Sequence, residues 1–210
     1  MPRQAGSCRS CRTLAAHSVR MREEFVIVYH EGTVTSLVRS GEHSSSVFGG
    51  PLEVEVRGSR LPKPLHHIAT VSLNHLKVLG PPHYVWEIPL VYGLVYSGCS
   101  VRYRLEGGSI ELSSGQLGEP TEDWPYRAYP ELLPYVPLEV GSTSKETWEQ
   151  FAMRAPNLPE VAPSTIVMLV PPPVTLGFSM WGRSGDAEGV TLVFECDLET
   201  KTVASYNVCG

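Results

Sequence analysis

Seven histidines fall before residue 84 (His17, His30, His43, His66, His67, His75 and His83). Three of them crowd the stretch Pro64-Leu65-His66-His67-Ile68-Ala69-Thr70-Val71-Ser72-Leu73-Asn74-His75-Leu76. Imidazoles at that density could hold a metal or move protons. The spacing speaks against both. Residues 68–73 are β-prone, and in an extended chain rising about 3.3 Å per residue His66 and His75 stand about 30 Å apart. Neighbours on a strand point to opposite faces, so only one of His66 and His67 could join a shared site. There is no HExxH, and no carboxylate stands within the stretch to orient a ring. The stretch therefore reads as a core strand that carries imidazoles, with no metal and no cofactor expected.

Two other patterns carry sharper chemistry. Cys8-Arg9-Ser10-Cys11 is a CxxC with His17 six residues on. Such a thiolate pair can clasp zinc in a metal-stabilised module, but four ligands are needed and no second CxxC follows. Phe25-Val26-Ile27-Val28-Tyr29-His30-Glu31-Gly32-Thr33 resembles the strand-borne Tyr-His-Gly-Thr with which one class of NAD-using ADP-ribosyltransferases holds the ribose. Here Glu31 intrudes between His30 and Gly32, and Tyr92 or Tyr96 with Glu195 would have to fill the other roles. Nucleophile elbows, P-loops and dinucleotide fingerprints are absent. The imidazoles and carboxylates are expected to be dispersed over separate β surfaces instead of converging.

The elements that must position these residues are mainly strands. The chain is 42% hydrophobic and 19% charged, enough to fill a core, and 19 glycines with 18 prolines suit many short strands joined by turns. Residues 25–30 are a β-branched and aromatic run, after which Glu31-Gly32 turns into residues 33–38. Residues 40–50 are small and polar and read as a loop. In residues 51–58, Leu52, Val54 and Val56 alternate with Glu53, Glu55 and Arg57, the pattern of a half-buried strand with a charged wet side. Residues 88–106 read as two strands meeting around Ser97-Gly98. Gly107-Gly108 reads as a hairpin turn, and residues 190–208 as a C-terminal hairpin turning at Leu198-Glu199-Thr200. One helix is predicted over about 144–155. Thr143 and Glu146 have capping-box spacing, Trp148, Phe151, Ala152 and Ala155 recur at three and four residues, and Pro156 stops it. The predicted fold class is α+β, mainly antiparallel sheet with one clear helix.

Residues 1–22 hold five of the 17 basic residues (Arg3, Arg9, Arg12, Arg20, Arg22) and none of the 22 acidic ones. Residues 1–20 read as a disordered basic tail, and 21–210 as one globular domain opening at Met21. The rest of the chain is thus more acidic than the net charge of −5, which disfavours binding to phosphate backbones. Residues 161–182 are uncharged over a bilayer-crossing length. Pro163 and Pro171-Pro172-Pro173 interrupt them, so they read as two buried strands around a proline corner. Five scattered cysteines form no disulfide framework, and no apolar run of signal-peptide length stands near the start. The expected setting is cytoplasmic.

Three pieces in order, residues 46–54, 64–76 and 177–190, resemble the YwqG-like family of bacterial proteins. Its members carry a Gly-Gly-Pro lead-in, a Pro-Leu-x-x-hydrophobic-Ala-x-hydrophobic-x-Leu strand, and a late Met-Trp-Gly followed by Gly-Asp. Here Gly49-Gly50-Pro51, Pro64-Leu65, Ile68-Ala69, Leu73, Leu76, Trp181-Gly182 and Gly185-Asp186 occupy those places. Thr70 stands where the family usually has glutamine, and prolines are displaced to Pro62 and Pro64. The resemblance spans roughly residues 46–200. It implies a curved antiparallel sheet and protein-binding roles, including immunity-type partners of bacterial toxins.

The expected function is therefore that of a non-catalytic domain that binds another protein. An acidic exterior suits a basic partner, and complementary charge speeds association. Neither nucleic acid nor membrane is expected. The expected contacts are Glu53 and Glu55, with Glu122, Asp123, Trp124, Tyr126 and Tyr129 from the run "EDWPYRAYP", which combines acids with aromatics in a loop.

Overall fold

The structure, a computed structural model, describes residues 22–58, 65–76, 87–96, 98–118, 132–155, 157–176 and 190–209. Within them the strands are β1 (Glu24–His30), β2 (Thr33–Arg39), β3 (Ser46–Phe48), β4 (Glu55–Gly58), β5 (His66–Ser72), β6 (Glu87–Tyr92), β7 (Cys99–Glu106), β8 (Ser109–Leu117), β9 (Val136–Lys145), β10 (Thr165–Val170), β11 (Val190–Asp197) and β12 (Thr202–Cys209). Two short helices, α1 (Leu73–Leu76) and α2 (Trp148–Ala152), complete the described elements. All twelve strands join one mixed sheet in the order β4-β8-β7-β12-β11-β10-β1-β2-β9-β3-β5-β6. β4 runs parallel to β8, and the other neighbouring pairs are antiparallel. No helix among the described residues is long and apolar enough to cross a membrane.

Local chemistry makes three of these pairings. Glu31 and Gly32 both have positive φ (47° and 68°), as do Gly107 and Gly108 (52° and 84°). These are the two-residue turns whose twist matches an antiparallel hairpin. At the β11–β12 turn the Asp197 carboxylate accepts the backbone N–H groups of Glu199 and Thr200 at 2.9 and 3.2 Å, the usual way an aspartate stabilises a turn.

Three sequence expectations are corrected. The helix is five residues, Trp148–Ala152, and its capping box is Thr147 with Gln150, one turn beyond the Thr143–Glu146 pair. Thr143 instead lies in β9 opposite Thr35, and the β2–β9 ladder runs on to Thr33 opposite Lys145. Tertiary pairing overrides the local helix signal there. The polar loop 40–50 contains β3, whose three residues pair with β9 on one side, while Val47 and Phe48 pair with β5 on the other. Residues 51–58 are not a half-buried strand: only Glu55–Gly58 form one, exposed throughout, with Val56 at 40% exposure. Of the second strand expected after the proline triplet, residues 174–176 form a turn with Val174 exposed, and the rest lies outside the described residues, as do residues 1–21.

The sheet wraps one main core. Alternation along β7 sends Cys99, Val101, Tyr103 and Leu105 inward and Ser100, Arg102, Arg104 and Glu106 outward. β10 is buried on both faces. Ile166, Met168 and Val170 meet the main core, while Val167 and Leu169 lie in a second cluster with Phe151 of α2. That two-sided burial explains why residues 165–170 of the uncharged run carry no charge. Phe151 stacks on Tyr29 with centroids 4.9 Å apart, and Trp148 meets the same ring edge-on at 5.4 Å.

Although last in the sheet order, β6 packs against β7 and β12. The Tyr103 hydroxyl donates to the carbonyl of Pro89 (2.7 Å) and accepts the N–H of Val91 (3.4 Å). The Gly93 N–H meets Cys99 Sγ at 3.3 Å, and the Tyr92 hydroxyl donates to Asn207 Oδ1 at 2.9 Å. Side chains thus stand in for the strand that β6 lacks on its outer edge.

Candidate ligand cleft

β3 and β4 sit near opposite ends of the sheet order, so residues 49–54 must cross from one to the other. Gly49 (φ 63°) and Gly50 (φ 77°) begin this crossing. A Cβ on Gly49 would lie 2.3 Å from the carbonyl oxygen of Pro134, so only glycine fits. Their N–H groups are tied to the carbonyls of Ile68 and Leu133, each at 2.9 Å. Beneath the crossing segment opens a cleft of about 730 Å³. Its floor is the face of β3, β5 and β6 turned away from the main core, with Val47, Thr70 and Pro89. Its roof carries Leu52, Glu53 and Val54. The β7–β8 turn, Tyr135, Glu87 and Lys201 form its walls.

His67 enters this cleft because of a bulge. Thr70 pairs with Val47 and Pro89, and Ala69 with Phe48 and Leu90. The first set lines the cleft and the second lies in the core. Plain alternation would send His67 to the core with Ala69 and Val71. The β5–β6 register shifts between His67 and Ala69, so Ile68 has no β6 partner, and His67, although opposite the core residue Val91, lines the cleft. Bulges re-aim side chains in this way. His66, opposite Tyr92, falls on the core face, where its Nδ1 has no hydrogen-bond partner.

The ring of His67 is held in one state. Burial pushes its pKa below the ordinary imidazole value, against smaller upward pulls from backbone carbonyls and Glu53, so it is neutral at pH 7. Its Nδ1 faces the Gly50 carbonyl at 3.4 Å and its Nε2 faces Thr70 Oγ1 at 2.9 Å. A carbonyl can only accept, so Nδ1 carries the proton and Nε2 accepts the Thr70 hydroxyl hydrogen. The lone pairs of Thr70 Oγ1 are then left for the cleft.

Three carboxylates, Glu53, Glu87 and Glu106, share the lining with a single cationic side chain, Lys201. Arg104 stands 3.4 Å from Glu106 and offsets part of that charge. Tyr135, 52% exposed, offers a ring beside them. Against the expectation that imidazoles and carboxylates are dispersed over separate surfaces, one imidazole and three carboxylates line a common hollow, though without clustering at one point. The bulge and the crossing segment cause it, and neither has a local sequence signature. Still, no three of His, Cys, Asp or Glu are placed to hold a metal ion among the described residues.

Of the residues expected to contact a partner, Glu53 lines the cleft. Glu55 lies on the exposed strand β4, its carboxylate held by Arg57 Nε (2.9 Å) and Nη2 (2.6 Å). Glu122, Asp123, Trp124, Tyr126 and Tyr129 lie outside the described residues, as do Cys8, Cys11 and His17 of the zinc pattern. For the transferase pattern, Tyr29 pairs with Val167 and Val167 with Glu195. Tyr29 and Glu195 therefore share a face, and His30 points to the other. Glu195 accepts the Tyr206 hydroxyl at 2.5 Å, and Tyr92 is buried in the core.

A Ser–His pair that spacing did not reveal joins Ser46 Oγ to His75 Nδ1 at 2.8 Å. Ser46 is fully buried and its oxygen also accepts the Ser72 N–H at 2.9 Å. The pair ties α1 to β3, and its hydroxyl is the buried member while His75 is partly exposed. Buried Cys99 and Cys196 have thiols pushed up to about 11 and about 12 by burial, far from thiolate reactivity.

No protein-family model, no curated protein and no solved structure matches this chain.

Proposed function

We propose that this chain is a cytoplasmic, non-catalytic binding domain whose partner is a basic protein, in the manner of an immunity protein facing a cationic toxin. The observation that carries this reading is the cleft of about 730 Å³, in which the apolar side chains of Val47, Leu52, Val54 and Pro89 share the lining with the carboxylates of Glu53, Glu87 and Glu106. Lysine and arginine have that same division, an alkyl stem below a charged head. Glu53 of the expected contact set lies on its roof, and the resemblance to the YwqG-like proteins points the same way. The hydroxyl–imidazole pairs support binding over catalysis. Ser46 is sealed in the core, and the Thr70–His67 pair is oriented by a carbonyl, with the nearby Gly49 and Gly50 N–H groups already committed. Those two N–H groups are therefore not free to stabilise an oxyanion.

Fluorescence anisotropy with a labelled basic peptide tests this. Binding to the full chain should weaken steeply as salt rises. Replacing Glu53, Glu87 and Glu106 together by glutamine should weaken it by about tenfold or more, on the order expected for lost charge pairs. Salt-insensitive binding, or binding untouched by the triple substitution, would count against the reading.

A further inference from the structure

Resting on that reading, we infer that the cleft selects an arginine side chain over a lysine, and that Thr70, polarised by His67, is the residue that makes the selection. The argument is one of hydrogen-bond polarity. A free threonine hydroxyl can donate or accept and so reads nothing by itself. This one cannot choose. The Gly50 carbonyl fixes the proton on His67 Nδ1, and the bare Nε2 takes the Thr70 hydrogen at 2.9 Å. Toward the cleft Thr70 Oγ1 is therefore an acceptor only. The bulge at Ile68 exists in register with this role, since without it His67 would face the core and the hydroxyl would rotate freely.

Thr70 on the floor, Glu53 on the roof and Glu87 beside them then all ask for a donor. Their positions on three separate elements suit a planar group with several divergent N–H donors. A guanidinium has five in a fixed fork, and it is more weakly hydrated than an ammonium, so sinking it to a floor hydroxyl costs less. The half-exposed ring of Tyr135 on the same cleft offers a face for stacking. An ammonium would satisfy the carboxylates at the rim and gain little from Thr70. Selection therefore resides in the floor, and overall affinity in the rim.

The experiment compares oligo-arginine with oligo-lysine peptides of equal length and charge on the full chain. The variants are Thr70→Val, which keeps the β-branched shape and removes Oγ1, and Thr70→Ser, which restores the oxygen. The unaltered chain should bind oligo-arginine about tenfold more tightly, the size expected for a hydrogen bond to a charged group. In Thr70→Val that preference should fall to about twofold or less, with oligo-lysine affinity nearly unchanged, and Thr70→Ser should recover it. Equal binding of the two peptides by the unaltered chain overturns the inference while leaving the basic-partner reading intact. So does a Thr70→Val loss that is the same for both peptides. Binding of neither peptide at low salt sinks the basic-partner reading and this inference with it.

Discussion

Three imidazoles in this sheet are held below their ordinary pKa, and burial is the leading cause for each: His30, His66 and His67. Glu31 pulls His30 back up, and Glu53 and backbone carbonyls do so for His67, by less than burial takes away. His66 has no such compensation, and its Nδ1 is unpartnered. The sign follows directly. Between the lowered folded pKa and the ordinary value near 6.5, the unfolded chain binds protons that the folded chain refuses. The stability these rings contribute is full above about pH 6.5 and declines as pH falls through that window. Urea midpoints should therefore be level from pH 8 to 7 and drop by pH 5.5, before the carboxylates titrate. The drop should be smaller in His66→Phe, which has no proton to take up. A midpoint indifferent to pH over that range would contradict the burial assigned to these rings. The opposed faces of His66 and His67 were legible from strand alternation. Which of them faces the cleft was not, because one unpaired residue, Ile68, reverses the answer.

At the scale of elements, the most exacting arrangement is the outer edge of β6. Tyr103 is fully buried, and its hydroxyl serves a donor and an acceptor of that strand at once. Burial also pushes its pKa up, so it stays a neutral phenol. Tyr103→Phe removes both partners while leaving the ring, and buried backbone groups left unpaired cost about 1–3 kcal/mol. Urea unfolding should show a loss of that size with an unchanged m-value. A neutral outcome would mean that water reaches the β6 edge. The strands themselves were largely legible where pairing is local: the β1–β2, β7–β8 and β11–β12 hairpins follow from Glu31-Gly32, Gly107-Gly108 and the Asp197 turn. Those that depend on distant partners were not. Val47 pairs with both Thr70 and Pro137, and nothing in Ser46-Val47-Phe48 announces either. The helix was visible through Trp148 and Phe151, but its start moved because the β2–β9 ladder claims residues up to Lys145.

For the whole molecule, the two ends of the sheet order are managed by opposite means. β4 is short, exposed and charged, with Glu55 and Arg57 paired at 2.6 Å, features that discourage another chain from adding to it. β6 is apolar, and is protected by lying against β7 and β12 with its backbone groups bonded to Tyr103 and the adjoining Gly93 N–H to Cys99. Residues 49–54 bind these ends together, since they leave the β3 side of the sheet and arrive at β4. The cleft is the space this closure encloses, so its shape depends on β6 staying docked while β4 bears little load. Amide hydrogen exchange distinguishes the two edges, because protection reports the free energy needed to expose each amide. The N–H groups of residues 55–58 should exchange among the fastest of all the strands, while those of Ile88, Leu90 and Val91 should exchange with the slow core of β10. If β6 instead exchanges as fast as β4, the sheet opens at that seam in solution. The floor residues Thr70 and Pro89 would then not keep the spacing that arginine selection requires.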